Sequence, residues 1–177
     1  MNRSFDVVIL ILNPSNLGVC DSYASYRRGL RTASSKNGSL TDGNKVRLEL
    51  LSTIVSAFIL KTEQPLLKIK IGLKDHFSLF RIDLSSTRAI LTREDPKEPA
   101  ILYEKGTFFY DAYLEDLRQA FEQSKQIDMT KQFVVEGKVT DENLKDLLKE
   151  LGLYANIQDD DISEIKRVIH YKINPYS

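Results

Sequence analysis

The stretch Leu67-Lys68-Ile69-Lys70-Ile71-Gly72-Leu73-Lys74 puts an apolar side chain at every odd position and a lysine or glycine at every even one. A period of two is the spacing of a β-strand with one buried face and one wet face. The segment after Pro65 therefore reads as a strand with a lysine-lined outer side. Asp75-His76 is expected to turn the chain back into Phe77 to Leu84 as a hairpin, with another strand at Arg88 to Thr92 before the charged loop 93–99. Upstream, Phe5 to Leu12 is almost wholly apolar and stops at the turn cluster Asn13-Pro14-Ser15-Asn16. An apolar run of that length, bounded by turn residues, reads as a strand central in its sheet.

Helical spacing fills the intervals between these strands. Asp21 to Leu30 reads as a short helix capped by Asp21 or Ser22 and stopped near Gly29. Residues 32–44 are polar and glycine-rich and read as a mobile surface loop. From Lys45 to Lys61, Leu48, Leu51, Ile54, Val55, Phe58 and Ile59 favour a helix, although Val46, Leu48 and Leu50 also alternate as a strand would. Ala100 to Tyr110 reads as extended and broken at Gly106 into two short strands. Tyr113, Leu114, Leu117, Ala120 and Phe121 then recur at helical intervals, opposite Glu115, Asp116, Arg118, Glu122 and Lys125. Phe133 to Val139 is a strand candidate. Thr140 caps a helix with the stripe Leu144, Leu147, Leu148 and Leu151, which Gly152 ends. Ile165 to Ile173 reads as a closing strand. The fold class implied is α+β: one compact domain of 177 residues with a mostly antiparallel sheet packed against two or three amphipathic helices.

Chemistry is sparse in this sequence. Cys20 is the only cysteine, so no disulfide forms within the chain, and a reducing compartment, or one indifferent to redox state, is the simpler expectation. Two histidines, His76 and His170, have no zinc-ligand spacing and no partner in a known nucleophile motif. The eight glycines make neither a P-loop nor a dinucleotide fingerprint. Asp159-Asp160-Asp161 lacks the spacing and the closing glutamate of a calcium loop. Asp111, Glu115 and Asp116 are conceivable metal-binding carboxylates for nuclease chemistry, or simply a wet helix face. Phe108, Phe109 and Tyr110 are core or an association surface. No catalytic residue, metal or cofactor is expected. The opening Met1-Asn2-Arg3-Ser4 and the eight residues after it are too short to span a bilayer and carry no cleavage site, so neither secretion nor a transmembrane segment is expected.

Charge is the most informative part of the composition. Residues 1–93 hold fourteen basic and seven acidic side chains, residues 94–161 hold eight and seventeen, and the whole chain is neutral. If the asymmetry survives folding, positive and negative regions of neighbouring copies attract each other; if the segments interleave, it averages away. Arg27, Arg28, Arg31, Lys36, Lys45 and Arg47, with Tyr23 and Tyr26 among them, are candidates for holding an anionic partner such as RNA or a membrane surface, or are ordinary solubilising charge. Asn37, Gly38, Ser39 and Leu40, together with Asp159, Asp160 and Asp161, are candidates for self-association.

The order of pieces resembles the matrix proteins of rhabdoviruses. It runs from the apolar strand Ser4 to Leu12, through a tyrosine-containing helix, a polar loop and Lys45 to Lys61, to Leu102-Tyr103-Glu104-Lys105-Gly106-Thr107. It ends in a helix running into Leu151-Gly152-Leu153 and a closing strand. The size is most similar to that of the short cytorhabdovirus members. The sequence departs from the animal-virus pattern in having no lysine-rich N-terminal tail and no Pro-Pro-x-Tyr motif. The resemblance implies a structural protein of the virion interior or cytoplasm that self-associates, condenses the viral nucleoprotein–RNA complex and contacts the inner envelope face, with no small-molecule substrate. Two other readings stay open: a small metal-dependent nuclease or hydrolase, and an adaptor of a larger cellular complex that docks through the Leu144 to Leu151 stripe.

Overall fold

The computed structural model describes residues 5–34, 42–93, 98–131, 133 and 139–173, with the backbone alone at 5, 30–34 and 171–173. Strand β1 (Phe5–Leu12) leads into helices α1 (Leu17–Ser34) and α2 (Gly43–Glu63), which return the chain to β2 (Leu67–Lys74). β1 and β2 are parallel, in register from Phe5 opposite Leu67 to Leu12 opposite Lys74. Two parallel neighbours require a crossover, and the α1–α2 pair supplies it. The chain continues through β3 (Phe80–Leu84), β4 (Arg88–Arg93), β5 (Ile101–Glu104), α3 (Phe108–Glu122), β6 (Lys125–Gln126), α4 (Asp141–Glu150) and α5 (Asp159–Ile173). The strands form two sheets, ordered β1-β2-β6 and β3-β4-β5, in which every pairing except β1 with β2 is antiparallel. The fold is α+β, as the patterning implies, with five helices among the described residues.

Helix α2 occupies the centre. Its N-cap Asp42 accepts a hydrogen bond from the Lys45 N–H at 2.7 Å, and the helix buries Val46, Leu51, Ile54, Val55 and Phe58. A helix apolar on most of its circumference suits a position covered on several sides. Its hydroxyls create no unmet demand, because Ser52 Oγ donates to the Leu48 carbonyl and Ser56 Oγ to the Ser52 carbonyl, both at 2.7 Å. The main core joins α2 to the odd face of β2 (Ile69, Ile71, Leu73), to Leu144, Leu147 and Leu148 of α4, and to Ile162, Ile165 and Ile169 of α5. A smaller cluster gathers Leu12, Val19, Cys20, Ala24 and Val46 where α1 meets β1 and α2.

Several expectations are overturned. Residues 165–173 are helix, not strand: Ile162, Ile165 and Ile169 repeat at three and four and all point inward, while the alternation covers only the last few residues. The acidic run forms the first turn of α5, where negative charge suits the helix dipole. Helix α1 begins and ends beyond the expected 21–30. Asn16 Oδ1 accepts from the Val19 N–H at 3.2 Å as the cap, Ser22 Oγ instead donates to the Gly18 carbonyl, and the helix passes through Gly29 to Ser34. The expected loop at 32–44 is therefore helical at both ends, and 35–41 lies outside the described residues.

No β2–β3 hairpin forms at Asp75-His76, because β2 is flanked by β1 and β6 while β3 belongs to the other sheet. Gly106, at φ +86°, makes a turn rather than a break between strands, and Thr107 caps α3 so that Phe108 to Tyr110 are helical. Of the expected strand Phe133 to Val139, residues 134–138 lie outside the described residues, and Phe133 and Val139 are not in a strand.

Candidate association surface

Of the basic residues singled out in the sequence, those with described side chains do not all reach the surface. Arg47 is 4% exposed and turned inward, its guanidinium donating to the carbonyls of Ala155 and of Asn156, the latter at 2.9 Å. It therefore holds the α4–α5 connection, where Asn156 sits at φ +60°, from within the fold. Arg27 pairs with Glu49 of α2 at 3.2 Å and lies against the Tyr23 ring at 5.7 Å. Arg28 and Lys45 are exposed. The side chain of Arg31, and all of Lys36, Asn37, Gly38, Ser39 and Leu40, lie outside the described residues.

The acidic candidates engage this same chain. Asp159 accepts from Lys145 Nζ at 2.6 Å, and Asp161 from the Asn44 side chain at 3.2 Å and from the Gln158 N–H at 3.0 Å. The Lys145 ammonium is held above its ordinary pKa by the bond to Asp159. The charge of Lys45 lowers the Glu164 carboxyl further, after the larger effect of Arg167. Folding thus sets the start of α2 beside the start of α5, and part of the linear charge asymmetry is neutralised within the molecule. Asp160 stays exposed.

A polar cluster that sequence reading missed lies at the carboxyl ends of the two parallel strands. The side-chain amides of Asn13 and Asn16 both donate to one oxygen of Asp75, at 2.9 and 3.1 Å. They border an open cleft of about 330 Å³ lined by Asn16, Gly18, Val19, Ser22, Asp75, His76 and Phe77. Ligands of open parallel sheets collect at this end of the strands. Here the polar groups are spent on one another: Asn16 also caps α1, and Asn13 Oδ1 accepts from the Ser15 N–H at 3.0 Å. The cluster ties the β1–α1 turn to the end of β2. Only the parallel pairing of β1 with β2 makes the two asparagines and Asp75 neighbours, and neither strand's pattern reveals that pairing.

The carboxylates considered for metal chemistry lie along α3. Glu115 is locked by Arg118 and Gln119, whose hydrogen bonds hold its carboxyl down to about 2, and Arg118 also reaches Glu122 at 2.8 Å. Among the described residues no group of three or more histidine, cysteine, aspartate or glutamate side chains is gathered as metal ligands would be.

The sheet β3-β4-β5 and α3 leave apolar side chains in water. Ala89 and Leu91 of β4 are buried, as is Tyr110, whose hydroxyl donates to the Ser85 carbonyl at 2.8 Å. Their neighbours are not. Phe108 is 80% exposed, and it begins a run of ring contacts: Phe108 to Phe109 at 5.6 Å, Phe109 to Tyr103 at 5.0 Å, and Tyr103 to Tyr113 at 5.7 Å. Burial, and then the neighbouring Tyr103 hydroxyl, push the Tyr113 phenol up from its ordinary pKa. On the opposite face of the sheet, the cross-strand partners Ile90 and Leu102 are 39% and 52% exposed. The two possibilities for Phe108, Phe109 and Tyr110 are thus divided: Tyr110 is core, and the two phenylalanines are surface.

Comparison with protein-family models, with curated proteins and with solved structures finds no match for this chain. Among the described residues no helix is long and apolar enough to cross a membrane.

Proposed function

We propose that this protein is a non-enzymatic assembly protein that works by associating with further copies of itself. The observation that supports this reading best is the aromatic run Phe108–Phe109–Tyr103–Tyr113, in which the exposed Phe108 and Phe109 lie against two half-buried tyrosines. An aromatic ring carries on the order of 200 Å² of largely apolar surface, and rings in contact in water are the usual anchors of a protein interface. The adaptor reading loses its docking stripe, since Leu144, Leu147 and Leu148 are buried in the core of this chain.

In its finer form, the one implied by the resemblance to rhabdovirus matrix proteins, the same protein condenses a nucleoprotein–RNA complex and touches an anionic membrane face. Arg28 and Lys45 are the described members of the basic cluster exposed enough to take part.

Sedimentation velocity across protein concentration, at low and high salt and with and without single-stranded RNA, tests both forms. Self-association that survives high salt and is weakened in a Phe108→Ser/Phe109→Ser variant is the expected result, because apolar contacts are not screened. Wild-type protein that stays monomeric at every concentration overturns the assembly reading. RNA binding that weakens as salt rises supports the finer form, because contacts between basic side chains and phosphates are salt-sensitive, and no RNA binding at low salt removes the nucleic-acid part of it.

A further inference from the structure

Strand β1 has the composition of a central strand and the position of an edge strand. From Val7 to Leu12 every residue is apolar, so both faces are equipped for burial. Yet β1 ends the order β1-β2-β6, and among the described residues no strand pairs with its outer edge. Its N-terminal half is open on both faces: Val7, on the face of Ile9 and Ile11, is 36% exposed, and Val8, on the face of Leu10, is 43% exposed. Natural edge strands are guarded by lysine, proline or a bulge. This one has no proline or lysine, pairs with β2 through eight uninterrupted positions, and carries only Asp6 as a charge.

We infer that β1 is a self-pairing edge, on which β1 of a second copy lies antiparallel about a twofold axis through Ile9, joining two three-stranded sheets into one. This rests on the reading of the protein as self-associating and adds a second surface, distinct from the aromatic run. A twofold axis perpendicular to the sheet keeps like faces together, so opposed residues share parity. Centred on Ile9, the pairing sets Val7 against Ile11, Val8 against Leu10 and Asp6 against Leu12, with no like charges opposed.

Charge selects this register. Lys68 is the β2 neighbour of Asp6, and Lys74 is the β2 neighbour of Leu12. The cross-strand row therefore reads Lys68, Asp6, then Leu12 and Lys74 of the other copy. Lys74 is half-buried and makes no ion pair among the described residues, because the adjacent Asp75 accepts from Asn13 and Asn16. The Asp6 of a second copy supplies a carboxylate about 10 Å away across two strand spacings, within the reach of the two side chains.

The test uses the full chain, in which the only native thiol, Cys20, is fully buried. Directly opposed residues of an antiparallel pair are close enough for a disulfide, whereas diagonal neighbours are about 7–8 Å apart. Under mild oxidation Ile9→Cys is expected to give a reductant-sensitive covalent dimer, and Val8→Cys and wild type are expected not to. Equal cross-linking of both cysteine variants, or of neither, overturns the proposed register and pairing. Val8→Lys, at an exposed position, is expected to leave the far-ultraviolet circular dichroism and the melting point of dilute, monomeric protein in place and to weaken dimerisation at least about tenfold. If wild type associates but Val8→Lys does so equally well while Phe108→Ser/Phe109→Ser does not, the β1 inference fails and the assembly reading stands. If wild type never associates, both fail.

Discussion

The half of the molecule built on α2, α4, α5 and β2 buries most of its apolar residues, whereas the half built on β3-β4-β5 and α3 leaves many of them exposed. Phe58 and Phe108 make the contrast plain: both are helical phenylalanines, one 1% exposed against β2 and the carboxy-terminal helices, the other 80% exposed. Composition does not separate the two regions. What separates them is the number of layers, since α2 has packed elements on several sides and the small antiparallel sheet has α3 on one side only. The difference teaches that stability and association draw on different apolar residues in the same chain.

The largest effect that probes this division comes from core truncation. Phe58→Ala is expected to cost about 3–5 kcal/mol in urea unfolding, the lost transfer energy plus the cavity left behind. Phe108→Ala should change the stability of dilute protein by no more than about 0.5 kcal/mol while weakening association. Comparable destabilisation by both variants at a concentration where the protein is monomeric would erase the contrast.

Next comes the inward arginine. Arg47→Met keeps an apolar stem but leaves the Ala155 and Asn156 carbonyls without donors, at a cost of about 1–3 kcal/mol by the same unfolding measurement. RNA affinity and its salt dependence should not move. A variant of unchanged stability with weakened RNA binding would return Arg47 to the surface role its sequence neighbours suggest.

These two positions show where sequence was informative. Helix α4 was legible because Thr140, the leucine stripe and Gly152 agree on one answer, and the stripe is buried as its spacing implies. The alternation of β2 likewise foretold its buried face. Arg47 was opaque because a basic residue in a basic segment reads as surface, and its partners are carbonyls more than a hundred positions away. Helix α5 was misread because Ile169, Tyr171 and Ile173 alternate at its end, and the inward pair Ile162 and Ile165 gains meaning only against α2. The aromatic run was seen as either core or surface, a choice that depends on how many layers cover α3. No residue pattern states that number.

Where α3 joins the two regions, Gly72 provides a sharper probe. A Cβ at Gly72 would collide with the Ser124 hydroxyl and press Leu10 and Phe121 at 3.0 Å, the place where the end of α3 meets the β1–β2 sheet. Gly72→Ala is expected to cost about 1–2 kcal/mol as overpacking and to loosen α3 from the sheet. Faster amide exchange in α3 with α2 and α4 still protected is the expected readout. Uniform loss of protection would mean that the two halves open as one unit.

The smallest effects are electrostatic, and they separate the regions by what each ion pair connects. In the well-packed half, Asp141 of α4 accepts from Lys166 of α5 at 2.6 Å, and that bond holds its carboxyl below the ordinary range. In the other half, Glu115 is lowered to about 2 by Arg118 and Gln119, all within α3. A carboxylate whose folded pKa is depressed contributes stability above its unfolded pKa and loses it as pH falls through the folded value. Both contributions are therefore complete at neutral pH; that of Glu115 fades between pH 4.5 and about 2. Both groups are exposed, so solvent and salt screen them and the effects are small. Asp141→Asn is expected to blunt the acid-side loss of global stability, because the pair it removes spans two packed helices. Glu115→Gln is expected to blunt only the acid-side loss of helical signal local to α3. If Glu115→Gln shifts global unfolding as far as Asp141→Asn does, α3 belongs to the cooperative core and the division between the two halves is wrong.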